Sequence, residues 1–65
     1  MNSLRRILEN VVVAWNTPLR DVVKDMDNVT LLRNCTPSER SFYAFALFRA
    51  NLITKDEIKE FVKVV

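Results

Sequence analysis

Glycine and histidine are absent from this 65-residue chain, and cysteine occurs only once, as Cys35. The side chains that most often act as acid–base catalysts or zinc ligands are therefore almost missing. A single cysteine also excludes an intrachain disulfide and is typical of a reducing compartment. We expect neither an enzyme nor a site for a metal or another cofactor, and we expect Cys35 to be a small buried hydrophobe.

The absence of glycine also excludes the usual glycine-rich phosphate-binding loop. Every change of chain direction must use another residue, and asparagine is suited to this because it tolerates the left-handed backbone region. An asparagine stands wherever a helical pattern stops, at Asn16, Asn28, Asn34 and Asn51. We predict that these four residues end helices.

Long hydrophobic runs are missing as well. The longest has seven residues, from Phe42 to Phe48, whereas a membrane-spanning helix needs ~20. Arg5 and Arg6 are not followed by the apolar segment and cleavage site of a signal peptide. The sequence therefore predicts a cytoplasmic protein without a membrane span.

The length permits one small domain, residues 1–65, which would bury about 60% of the surface of the unfolded chain. Hydrophobic residues make up 49% of the chain and charged residues 28%, as in ordinary globular proteins. The net charge of +2 is compatible with an anionic partner but does not require one. A chain this short would suit a viral accessory protein.

Apolar spacing and helix caps predict a compact all-α fold of four helices. The first helix runs from about Leu4 to Trp15 and is expected to bury one face, made of Leu4, Ile7, Leu8, Val11, Ala14 and Trp15. The second runs from Pro18, after the cap Thr17, to about Asn28. Its predicted buried stripe is Leu19, Val22, Val23 and Met26.

One observation does not fit this second helix. Asp25 and Asp27 lie near its predicted C-terminal end, where negative charges oppose the helix dipole. After it, Leu31 and Leu32 are too apolar for a free loop. We therefore predict an additional single-turn helix near Leu31, at about residues 31–34.

Two capping-box patterns predict the remaining helices. Thr36-Pro37-Ser38-Glu39 begins the third helix, which extends to about Ala50, and Thr54-Lys55-Asp56-Glu57 begins a fourth that extends nearly to the C-terminus. The stripe expected on the fourth helix is Ile58, Phe61, Val62 and Val65. Because the connection between these helices is short, we predict that they form a C-terminal αα-hairpin.

The third helix is apolar on all sides, unlike the surface helices of most small domains. At about 100° per residue, Phe42, Phe45 and Phe48 lie on one side, while Tyr43 and Leu47 lie on the other. Aromatic and arginine side chains are enriched in binding patches. We therefore assign a partner interface, for which Phe48 is the first choice, to Phe42, Phe45, Phe48 and Arg49. The alternative is that these rings form the core on which the other helices pack.

Two functional hypotheses remain open. The first is a regulatory or adaptor protein that self-associates, most simply as a homodimer, or docks on a larger protein partner. The second is a small DNA- or RNA-binding regulator, because arginine suits phosphate recognition. Its nucleic-acid contacts would be Arg5, Arg6, Arg20, Arg33 and Arg40.

Overall fold

The computed structural model describes residues 3–62, which form four α-helices and contain no β-strand. The helices are α1 (Ser3–Trp15), α2 (Asn28–Arg33), α3 (Pro37–Arg49) and α4 (Lys55–Ile58). Two 3₁₀ segments, Thr17–Asp21 and Val23–Asp25, connect α1 to α2. The predicted all-α class is confirmed. The bounds of the first and third predicted helices are also correct to within one residue.

Helix α1 buries a different line of residues from the one predicted. Leu8 and Val12 are fully buried. Three members of the predicted buried face are instead exposed: Ile7, Ala14 and Trp15. Arg5 lies beside this line and is partly buried, and its guanidinium donates hydrogen bonds to the backbone carbonyls of Val23 and Met26. The predicted face left Arg5 out, although Arg5 lies three residues before the buried Leu8.

The predicted second helix is wrong, because residues 17–25 form two short 3₁₀ segments. Their backbone hydrogen bonds span three residues rather than four, as from the Asp25 N–H to the Val22 carbonyl at 3.0 Å. The chain becomes extended at Met26 (φ −80°, ψ 143°), which stops any helix there. Of the predicted buried stripe, only Val23 is buried, whereas Val22 is exposed.

The two unexplained acidic residues lie on either side of this break, and Asp25 is the last residue of the second 3₁₀ segment. Asp27 is the N-cap of α2, and its side chain accepts a hydrogen bond of 2.7 Å from the Thr30 N–H. A carboxylate at a helix N-terminus is favourable, although it would oppose the dipole at a C-terminus. The predicted turn near Leu31 is confirmed as a helix, but it begins earlier, at Asn28.

Asparagine ends a helix in the left-handed conformation at one described position. Asn51 has φ 61° and follows α3, and the next N–H, that of Leu52, donates to the Leu47 carbonyl at 2.9 Å. This is the pattern of a helix closed by a left-handed residue. Asn16 and Asn34 have negative φ values, and Asn28 begins a helix instead of ending one.

The two predicted capping boxes differ. At α4 the box is complete, because Thr54 and Glu57 each accept the other's backbone N–H, at 3.1 and 2.7 Å. Thr36 is the cap of α3, but its hydroxyl donates to the Glu39 carboxylate at 2.8 Å and accepts no backbone N–H. That reciprocal box is therefore absent.

The fourth helix is much shorter than predicted. Helix α4 ends at Ile58, and turns follow it. Ile58 is buried and Phe61 and Val62 are half-buried, while Val65 lies outside the described residues. Because α4 has a single turn, the αα-hairpin stays a prediction.

One cluster forms the core, where α1, the 3₁₀ segments, α2 and α3 meet. Cys35 belongs to it, as predicted, and Tyr43 is buried as well. The cluster consists of Leu8, Val12, Val23, Leu31, Leu32, Cys35, Tyr43, Ala44, Leu47, Ile53 and Ile58. Its position fixes which side of α3 faces inward.

Candidate functional site

Helix α3 has one buried side and one exposed aromatic side. Tyr43, Ala44 and Leu47 belong to the core, and the three phenylalanines of the helix are exposed on the other side. This is the division that the helical spacing predicted. We call the exposed side the aromatic face and define it as Phe42, Phe45, Phe48 and Arg49.

Exposure differs among the three rings. Phe42 is 66% exposed, Phe45 is 50% exposed and Phe48 is 36% exposed. The sequence argument favoured Phe48 because it pointed away from Tyr43 and Leu47. In the structure Phe48 is at the edge of the face, since Ala44 of the core precedes it by one turn. Phe42 and Phe45 are the centre, and Arg49 is exposed on the same side.

The aromatic face has the size of a functional patch. A phenylalanine side chain carries roughly 200 Å² of surface, so the observed exposures correspond to about 300 Å² of aromatic area. A contiguous apolar patch of 300–600 Å² is typically the largest on a small soluble protein and is often functional (order-of-magnitude range). Leaving this area in water has a free-energy cost that a partner could relieve.

One ring of the aromatic face is supported by the core. The centroids of Phe42 and Tyr43 are 5.1 Å apart, and their planes meet at 83°, an edge-to-face arrangement. Tyr43 is itself held in the core, where burial raises the pKa of its hydroxyl. A ring supported in this way loses less freedom on binding than an unsupported one.

Other exposed apolar side chains lie outside α3. Trp15, predicted to be a core residue, is 60% exposed, and Ile7 on α1 is 48% exposed. Val22 is also exposed, between the two 3₁₀ segments. These residues occur on separate turns, whereas the rings of the aromatic face follow one another at three-residue spacing on a single helix.

Three of the five arginines assigned to nucleic-acid contacts bind other parts of the chain. Arg5 donates to Glu9 at 2.7 Å, to the Asn28 side chain at 2.8 Å and to the Val23 and Met26 carbonyls. Asn28 in turn donates to the Leu52 carbonyl at 3.0 Å. This network joins α1 to the 3₁₀ segments, α2 and the α3–α4 connection.

Arg40 and Arg33 make the other intrachain contacts. Arg40 donates to the carbonyls of Leu32, Arg33 and Cys35 at 2.9, 3.2 and 3.0 Å. Two of these, Leu32 and Arg33, are the last two residues of α2, whose C-terminal carbonyls need such donors. Arg33 binds both carboxylate oxygens of Glu60, at 2.6 and 2.8 Å. This contact lowers the pKa of Glu60 and raises that of Arg33.

Sequence reasoning missed these structural roles, although a signal for them exists. Arg5 precedes buried Leu8 by three residues, and Arg40 precedes buried Tyr43 and Ala44 by three and four. Each arginine therefore lies on the inward side of its helix. The other two predicted contacts, Arg6 and Arg20, are exposed.

The described residues 3–62 contain no group of three or more histidine, cysteine, aspartate or glutamate side chains placed to hold a metal ion. Cys35 is buried, and burial raises the pKa of its thiol, which disfavours the reactive thiolate. Within the same range, no helix has the length and apolar character required to cross a bilayer.

No protein-family model, curated protein or solved structure matches this chain. The aromatic face is therefore assessed on its own geometry and chemistry.

Proposed function

We propose that this protein is a small protein–protein interaction module that binds through the aromatic face of α3. The observation that supports this is the exposure of Phe42, Phe45 and Phe48 on a helix whose opposite side is buried in the core. Three adjacent exposed rings are costly for a monomer and are typical of binding hot spots. In this role the protein acts as a regulator or adaptor without chemistry of its own.

The arginine contacts weaken the nucleic-acid alternative. Phosphate binding requires guanidinium groups that are available to contact the phosphate oxygens of the nucleic acid. Arg5 and Arg40 instead donate to main-chain carbonyls within the fold. Arg6, Arg20 and Arg49 are exposed, but they are dispersed over different segments.

The proposal is tested by comparing Phe45→Ala with Ile7→Ala. The two side chains are almost equally exposed, at 50% and 48%, but Ile7 lies on α1, away from the aromatic face. Proteins retained by the immobilised wild type, including added copies of the chain itself, are compared with those retained by each variant. We expect Phe45→Ala to lose retention and Ile7→Ala to keep it, with both variants still folded by circular dichroism.

Salt dependence separates the two hypotheses. Binding through the aromatic face should persist as salt rises, because apolar burial is not screened. Retention on heparin or DNA that falls steeply with salt and is unaffected by Phe45→Ala would favour the nucleic-acid alternative. Equal retention by both variants at every salt concentration would contradict the proposed face.

A further inference from the structure

The charges at the two ends of α3 are arranged symmetrically about the aromatic face. Glu39 is in the first turn of the helix and Arg49 is its last residue. The midpoint between them in sequence is Ala44, and the midpoint between Phe42 and Phe45 falls within one residue of it. When two copies of α3 are placed antiparallel, the acidic end of each helix therefore lies beside the basic end of the other.

Resting on the proposed function, we propose that the partner of the aromatic face is a second copy of this chain, docked antiparallel across α3. A twofold axis that lies between the two α3 helices, perpendicular to them and level with the midpoint of Phe42 and Phe45, places Phe42 of one copy against Phe45 of the other. The same operation places Arg49 opposite Ser38 of the second copy. Glu39 of the second copy is then only one helical rise, about 1.5 Å along the axis, from Arg49.

The side chains at the ends suit this register. Glu39 uses its Oε1 to accept the Thr36 hydroxyl at 2.8 Å, which holds the carboxylate at the start of α3, where the second copy's Arg49 can reach it. Two such ion pairs form per dimer, one on each side of the axis. Antiparallel α3 helices also bring opposite ends of their dipoles together.

The area of the face predicts a weak dimer. Two aromatic faces together supply about 600 Å² of phenyl surface, roughly half of the ~1,200 Å² buried in the smallest stable interfaces. The flanking polar residues must supply the remainder. We therefore expect a dissociation constant on the order of 50 µM, and an association that responds measurably to the end charges.

Two charge-reversal variants, measured separately and then mixed, test the register. Sedimentation equilibrium over about 5–500 µM suits this test, because the range is centred on a dissociation constant on the order of 50 µM. Arg49→Glu and Glu39→Lys should each dimerise about tenfold more weakly than the wild type, because like charges then face each other. The equimolar mixture of the two variants should recover wild-type association, since each facing pair is again opposite in charge. Failure of the mixture to recover would overturn the register.

Ser38→Glu provides a second test that does not depend on the folding of Glu39→Lys. A carboxylate in the first turn of α3 favours the helix and faces the second copy's Arg49, so association should tighten about threefold. Asn10→Glu, at an exposed position on α1, is the control with the same change in net charge. Equal tightening by both variants would contradict the register.

The outcome for the wild type distinguishes this inference from the proposed function. A wild type that stays monomeric at every concentration overturns the second-copy partner. If it nevertheless retains a different protein through Phe45, the proposed interaction function stands and only the homodimer fails.

Discussion

Replacing Arg5 with methionine should destabilise the fold strongly, although the residue is one of two neighbouring arginines near the N-terminus. Methionine matches arginine in helix propensity and length, so the change removes mainly the guanidinium. The Asn28 side chain and the Val23 and Met26 carbonyls each lose a charged donor. The segment between α1 and α2 contains no long helix and depends on these contacts.

The magnitude follows from the hydrogen bonds that are lost. A hydrogen bond to a charged group contributes about 1.5–3 kcal/mol when its partner is left unsatisfied. Asn28 and Met26 are half-buried, so water can replace part of what is removed. We therefore expect a loss of about 2–3 kcal/mol in the free energy of unfolding, equivalent to about 10–20 °C in melting temperature for a domain of this size.

Arg6→Met is the matched control, because Arg6 is exposed on the next position of the same helix. Its effect should remain within about 0.5 kcal/mol. Urea denaturation followed by circular dichroism measures both variants. Arg5→Lys should recover only part of the loss, since an ammonium cannot reproduce the planar fork. Equal destabilisation by Arg5→Met and Arg6→Met would refute the structural role of Arg5.

Three further predictions follow from the caps, the acidic residues and the core. Thr54→Ala should cost about 1 kcal/mol and Thr36→Ala clearly less, because only the Thr54 side chain accepts a backbone N–H; equal melting points would contradict this difference. Hydrogen bonding from Thr30 lowers the pKa of Asp27 below its ordinary 3.8, so its stabilisation is complete above that value and is lost as pH falls through the lowered pKa. An acid titration should show less pH dependence for Asp27→Asn, which keeps a good cap without a titrating group; an unchanged titration curve would refute that assignment. Leu47→Ala should cost about 2–5 kcal/mol and Phe45→Ala much less, as measured by chemical denaturation; a similar loss for both would mean that the phenyl ring is a core group.

The sequence predicted the helices that have strong local signals. The end of α1 at Trp15, shortly before Pro18, and the starts at Pro37 and Lys55 follow from cap and proline chemistry, which acts within one turn. The 3₁₀ segments were missed because a long-range contact, from Arg5 to carbonyls about twenty residues away, competes with the local helical pattern. Asp27 was the local sign of the break, since an acidic cap fits a helix start better than a helix end.

The aromatic face could be predicted in part. Helical spacing correctly separated Phe42, Phe45 and Phe48 from Tyr43 and Leu47, because the period of a regular helix is fixed. The order of exposure within the face could not be obtained in the same way. It depends on how α3 is rotated against α1 and α2, and therefore on packing among residues distant in sequence.

The central claim is that the aromatic face binds protein, and the most direct measurement is a concentration series of amide NMR spectra from the isotopically labelled chain. From about 10 µM to 1 mM, a range that brackets a dissociation constant on the order of 50 µM, the account predicts shift changes concentrated at Phe42, Phe45 and Arg49. The amides of α1 around Ile7 should change little. Changes centred on α1, or spectra that do not change with concentration or on addition of a retained partner, would contradict the assignment of the binding surface to α3.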